Sequence, residues 1–392
     1  MSFFLFFFFF IVIKCQVKKE SLMNNNNRNL QNDGNSNIRL VINKNCFTYG
    51  VFNNINADKL DILSEGIDKA KNTTEKLVKI KRTSEKISIN YNDNYIPSAF
   101  NCYSYGDSAL LNTEITADLY IIINLETSSI KRFAKPSIIK CDDNGRPIIG
   151  TILYNTDYLQ NLENDDLLEA ISVIFLHEFT HILGFTKEIL QKKFLILTRN
   201  VENRMNSKTQ TKLYVNGTTV IKKAKAYFNY PELDGVELED ANEKNENMTH
   251  WSQRILLGDY MISEIYYSEQ AISEITLALL EDLKWYTVNY YTGGLMKFGK
   301  HKGSDFFKKD CIEEKKNDDF DDNKSLLKST FPNEFCSSYY TGVSFTTYGL
   351  CSSGRQSMSY CLNDKTSVDL DSIYRRSESP YYRGYSNKIL IL

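Results

Sequence analysis

Apolar residues in this chain fall into a few dense runs whose periodicity predicts the main elements. From Leu167 to Phe175 every position is apolar except Glu169 and Ser172. A segment apolar nearly all round predicts a helix buried in the core of a sizeable domain, a rigid platform for whatever it carries. Asp165 or Asp166 can cap its start, and Gly184 is the natural residue to end it in a left-handed turn. Between Asp58 and Lys71, Leu60, Leu63, Ile67 and Ala70 recur at helical spacing. Three runs read as strands: Ile38 to Ile42, Ala117 to Asn124 and Pro147 to Tyr154. Ser273 to Trp285 reads as a further helix beginning at a serine cap. Residues 186 to 249 are mixed and polar, and carry the chain from the helix end to a histidine at 250.

The amino-terminal pattern is different. Phe3 to Ile13 is a run of eleven apolar residues closed by Lys14. That is too short to span a bilayer and fits the apolar region of a signal peptide, cleaved near Cys15 or Gln16, although no basic side chain precedes it. An Asn-rich stretch to about Ser36 reads as disordered. Lys308 to Lys324, dense in charge of both signs, reads as a mobile linker.

Composition narrows the class. The 392 residues suffice for two or three domains. Lys and Arg (47) nearly balance Asp and Glu (49), for a net charge of −2, so nothing suggests a nucleic-acid partner. Beyond Cys15, Cys46, Cys102, Cys141, Cys311, Cys336, Cys351 and Cys361 fit an oxidising compartment, but spacing alone leaves their connectivity open. Sequons at Asn72, Asn216, Asn247 and Asn323 are compatible with secretion.

The chemistry sits in the scarcest residue. Of four histidines, two stand in His177-Glu178-Phe179-Thr180-His181. This is the zinc-peptidase arrangement: imidazoles at i and i+4 share a helical face and can reach one ion, while Glu178 stays close without being a ligand. There it can take a proton from the attacking water and return it to the leaving amine. The bland reading is two half-buried histidines and a solvated glutamate. A third ligand placed three residues beyond Gly184 would be Lys187, which cannot serve while charged. Only His250, His301 or a carboxylate such as Glu281 remain. His301, in Gly299-Lys300-His301-Lys302-Gly303, reads as a surface residue.

The surroundings of His250 separate these options. Thr249-His250-Trp251, then Gly258-Asp259-Tyr260-Met261 with Met261 eleven residues past His250, resemble the leishmanolysin family of zinc metallopeptidases. The resemblance continues through Ser273 to Asp282 and Trp285-Tyr286, includes Arg146-Pro147-Ile148-Ile149-Gly150, and covers about residues 37 to 311. It implies an α+β fold of metzincin type with a twisted mixed sheet, an active-site helix, a long insertion before the third histidine and a small Cys-containing C-terminal region. It implies one Zn²⁺ on His177, His181 and His250, Glu178 as general base, Met261 as the Met-turn methionine, Gly184 as the helix-ending glycine, and a disulfide between Cys102 and Cys141.

Three departures stand out. Tyr230 and Ser304 occupy positions where the family has cysteines, so a crosslink typically worth about 2–4 kcal/mol is missing. Residues 17 to 36 contain no zinc-masking His-x-Cys-x-His-Asp motif. The C-terminal region looks short and ends without a hydrophobic tail of anchor length.

The resulting expectation is a signal peptide over 1–16, a residual prosegment over 17–36, an N-terminal catalytic subdomain over 37–185, a central subdomain over 186–300 with His250 and the Met-turn, and a truncated C-terminal region over 301–392. The expected function is a zinc-dependent metalloendopeptidase of the secretory pathway, extracellular or on the cell surface, acting on proteins or peptides. Association with a membrane surface and oligomeric state stay open. The alternative is a catalytically weak or inactive cell-surface adhesion or binding protein.

Overall fold

The computed structural model describes residues 35–44, 47, 55–82, 84–89, 113–127, 133–160, 164–202, 209–239, 250–265, 270–290, 296 and 299–308, together with short strand segments between 312 and 391. Cys46, Cys102 and Asn247 lie outside the described residues.

The fold is mixed α+β. Its strands and helices in the amino-terminal half are β1 (Ser36–Asn37), β2 (Leu40–Asn43), α1 (Ala57–Leu77), β3 (Val78–Ile80), β4 (Ile87–Ile89), β5 (Thr113–Ile115), β6 (Leu119–Glu126), β7 (Ala134–Cys141), β8 (Pro147–Asn155) and α2 (Asn164–Leu183). The central sheet runs β2-β6-β8-β7, with β2, β6 and β8 parallel and β7 antiparallel at the edge. β6 is buried at every position but its last, which follows from its near-continuous apolar run: a strand covered on both faces has no polar side. Period 2 sorts that run. Leu119, Ile121, Ile123 and Leu125 join the main core, whereas Tyr120 and Ile122 meet Ile87, Ile89, Ile139 and Ile149 on the other face.

Both long helices cover the first face. α1 buries Leu63, Ile67, Ala70, Thr74 and Leu77, and its cap Asn56 accepts from the Asp58 N–H. It extends six residues beyond the expected Lys71. Thr73 and Thr74 bond back to the Lys69 and Ala70 carbonyls, so these β-branched residues are absorbed into the last turns. Asp165 and Asp166 do not cap α2: the helix already begins at Asn164, and both sit in its first turn. β7 carried no sequence expectation at all. Gly150 of β8 lies directly under α2, where a Cβ would fall 2.7 Å from Ile182 Cγ2.

The polar stretch after α2 is not irregular. It forms α3 (Lys187–Lys192), β9 (Ile196–Glu202), β10 (Thr209–Val215), α4 (Thr218–Phe228) and β11 (Val236–Glu237), with the strands in one small sheet ordered β11-β10-β9. Then follow α5 (Gln253–Leu256), β12 (Glu264–Ile265), α6 (Glu274–Asp282), β13 (Tyr286–Val288) and α7 (Asp305–Lys308). The Ser273 hydroxyl caps α6 by accepting from the Thr276 N–H at 3.1 Å, as its sequence predicts. α4 lacks a side-chain cap of its own; the Asp282 carboxylate, from the end of α6, accepts its Thr219 and Val220 N–H groups at 2.8 and 2.9 Å. Within the charged run expected as a linker, Ile312–Glu314 pairs with Leu327–Ser329.

The two positions expected to be cysteines come from segments that meet. Gly303 N–H donates to the Phe228 carbonyl at 2.7 Å, and His301 N–H to that of Tyr227 at 2.9 Å. Phe306 stacks on Phe228 with ring centroids 5.7 Å apart, and Phe307 contacts Tyr230 at 5.4 Å. Aromatic packing thus joins the segments that a crosslink would have joined. Phe306 is fully buried, so Phe306→Ala is expected to lower unfolding free energy by about 3–5 kcal/mol. Denaturant titration measures it; a loss under about 1 kcal/mol would show that the cluster contributes little.

Candidate metal centre

α2 places His177 and His181 one turn apart on a helix buried from Ile174 to its end. Their rings lie edge to face with centroids 4.6 Å apart. Glu178, between them in sequence, is 2% exposed. The helix is anchored at this level by Thr180, whose hydroxyl bonds back to the Leu176 carbonyl and lies 2.9 Å from the Tyr260 hydroxyl.

Gly184 ends the helix at φ +130°, where a Cβ would also meet Leu283 Cδ1 at 2.8 Å. The turn has a chemical consequence. It brings the Phe185 carbonyl back to His181, whose Nδ1 lies 2.8 Å from it. His177 Nδ1 lies 2.7 Å from the Tyr260 carbonyl. His250 Nδ1 is bonded to the Glu239 carboxylate. All three partners are acceptors, so each imidazole carries its proton on Nδ1 and presents an Nε2 lone pair.

Those three Nε2 atoms converge. The separations are 2.9 Å for His177 and His181, 3.1 Å for His177 and His250, and 3.2 Å for His181 and His250. Among the described residues these three form the one group of His, Cys, Asp and Glu side chains arranged to hold a metal ion. A tetrahedral zinc with nitrogens at 2.0–2.1 Å would set them about 3.3 Å apart, within a few tenths of an ångström of what is found. The donor set fits as well: burial, with the neighbouring histidines adding to it, holds His181 down to about 3 and His177 well below the ordinary histidine value. Both are neutral near neutral pH, and neutral imidazole is the ligand form. Lone pairs aimed at one point repel each other unless a cation lies among them.

His250 is reached through chain pairing. Glu239 N–H donates to the His250 carbonyl, Ser252 N–H to that of Glu237, and Leu238 bridges Trp251. Trp251 N–H donates to the Met261 carbonyl at 3.0 Å, tying the third histidine's neighbour to the fully buried Met261. Asp259 locks this turn: its carboxylate accepts from Met261 N–H at 2.7 Å and the Thr276 hydroxyl at 2.8 Å, and Trp251 Nε1 donates to that hydroxyl at 2.7 Å. Burial pushes the Asp259 carboxyl up to about 6 against these donors.

The other candidates stand apart. His301 is exposed at φ +59° and is not in the cluster. Glu281 accepts from the Tyr290 hydroxyl at 2.8 Å. Cys141, at the end of β7, is disulfide-bonded. Sequence reading missed Glu239, Asp259, Tyr260 and Thr276 as parts of the site. Asp259 had a local signal in its place before Met261, but Glu239 had none, because only cross-strand pairing brings it to His250.

The chain is similar to known metallopeptidases. The chain is 31% identical over 171 residues to the Ciliated left-right organizer metallopeptidase of Danio rerio, covering 41% of this chain and 27% of that protein. It is 32% identical over 168 residues to the Leishmanolysin-like peptidase of Drosophila melanogaster, covering 43% and 21%. With the Leishmanolysin homolog of Crithidia fasciculata it shares 26% over 171 residues, covering 43% and 24%. The chain therefore spans between about a fifth and just over a quarter of the length of these relatives. The profile of the family described as leishmanolysin matches residues 59–385, further toward the carboxyl terminus than the motifs alone reach. On that match, the chain belongs to the leishmanolysin family.

Proposed function

We propose that this chain is a zinc-dependent metalloendopeptidase of metzincin type, with His177, His181 and His250 as the metal ligands. The observation that carries the reading is the convergence of three Nε2 atoms within 2.9–3.2 Å while every Nδ1 faces an acceptor. Bound there, zinc would polarise the scissile carbonyl and lower the pKa of water towards about 7. Glu178 then acts as the base, taking a proton from the attacking water and returning it to the leaving amine. Its near-complete burial removes competing solvent. Met261 lies in the turn whose Tyr260 carbonyl orients His177, and Gly184 shapes the turn that orients His181.

Substrates on this reading are proteins or peptides. β7 pairs only with β8 among the described residues and lies against α2, so an extended peptide can add to its outer edge. The secretory location rests on the apolar leader and on the bonded state of Cys141. No described helix is long and apolar enough to cross a membrane.

Three outcomes follow. His250→Ala is expected to lose stoichiometric zinc in metal analysis while His301→Ala retains it; the reverse result would reassign the third ligand. Glu178→Ala should keep zinc and fold yet abolish cleavage in a casein or peptide-library digest. Equal cleavage by wild type and variant would sink the mechanism, and zinc without cleavage in either would favour the adhesion or binding protein. Cys102 and Cys141 should appear as one bridged peptide in non-reducing mapping, closing a loop worth about 4 kcal/mol in the chain-entropy model. Finding Cys102 alkylated as a free thiol would refute that pairing.

A further inference from the structure

The three histidines are oriented by unequal partners. His177 and His181, both on one rigid helix, donate to the backbone carbonyls of Tyr260 and Phe185, which are neutral and fixed by turns. His250 stands outside any helix and donates to a carboxylate, that of Glu239. We infer that Glu239 is the positioning residue of the third ligand, and that the small sheet of the insertion serves to hold this carboxylate against His250. The inference rests on the metal reading above.

Backbone pairing sets the approach. Glu239 N–H to His250 carbonyl (3.0 Å) and Ser252 N–H to Glu237 carbonyl (3.1 Å) fix the two segments side by side, so Glu239 cannot drift from the imidazole. The segment bearing Glu239 is in turn tied to β10 through β11: Tyr214 pairs with Glu237, and Leu238 N–H donates to the Leu213 carbonyl at 2.9 Å. Continuing that register brings Lys212 opposite Glu239. Lys212 is buried and its Nζ lies 3.1 Å from Glu237 Oε1, with side-chain exposures of 2% and 1%. A buried ammonium thus lies beside Glu237, while the Glu239 carboxylate reaches the imidazole of His250. A buried ion pair of this kind stabilises little by itself but fixes register well, which is what the third ligand requires.

The chemistry favours the same role. A carboxylate accepting from Nδ1–H fixes the tautomer, orients the ring and raises the basicity of Nε2, and loss of such a partner typically lowers metal affinity by about 10–100-fold. The Glu239 side chain is 18% exposed, so replacing it opens no core cavity.

The test is a chelator competition for zinc, combined with the visible spectrum of the cobalt(II)-substituted protein, on wild type, Glu239→Gln, Glu239→Ala and Glu239→Asp. Glu239→Ala is expected to bind zinc about 10–100-fold more weakly with a shifted cobalt band. Glu239→Gln keeps an acceptor without the charge and should fall between, and Glu239→Asp should recover part of the loss. Circular dichroism of the metal-free proteins should be unchanged, and any loss of their thermal stability should be much smaller than the loss of zinc affinity. Alanine and glutamine variants that match wild type in affinity and spectrum would overturn the positioning role while leaving the metal reading intact. A drop in affinity accompanied by an equal drop in metal-free stability would assign Glu239 a merely structural role. Wild type that binds no zinc would overturn the metal reading and this inference with it.

Discussion

The rest of the site depends on where three protons point. An imidazole can offer a lone pair at Nε2 only if its Nδ1 hydrogen is directed elsewhere, and in a buried site that hydrogen must have an acceptor. Here the acceptors come from three separate parts of the chain: Phe185 just past α2, Tyr260 in the turn before Met261, and Glu239 in the insertion. Each is held by its own local structure, so the convergence of the nitrogens is a property of the folded domain and not of the helix that carries two of them.

Rigidity is supplied from below and from the side. Beneath α2, the close approach of Gly150 to Ile182 and the almost wholly buried β6 leave the helix no freedom to shift without opening the core. Beside it, Asp259, Thr276 and the Trp251 indole form a hydrogen-bonded chain linking α6, the turn around Met261 and the residue after His250. Asp282, at the other end of α6, caps α4. One short helix therefore braces both the histidine cluster and the insertion.

Much of this was readable in the residues, for a physical reason that differs by element. His177, Glu178, His181 and Gly184 lie within one helix and its terminal turn, so local spacing determines their relation. Ser273 announces α6 because a cap is a local interaction. β6 was readable because a strand buried on both faces is apolar throughout. What escaped notice is non-local. β7, with Lys135, Ser137 and Lys140 among its residues, has the mixed pattern of an edge strand. Glu239 precedes His250 by eleven positions and meets it only through pairing of two short segments. The insertion read only as mixed and polar because Lys212 and Glu237 place charge where a core would be apolar. α1 ran past its expected end because threonines can bond back to their own helix.

The central claim is that three imidazoles, and no other side chain, bind one zinc ion. Zinc-edge X-ray absorption on the purified protein tests it most directly. The account predicts a first shell of nitrogen and oxygen at about 2.0–2.1 Å, with the multiple-scattering signature of three imidazoles. A sulfur scatterer at about 2.3 Å, or fewer than three imidazoles, would contradict it.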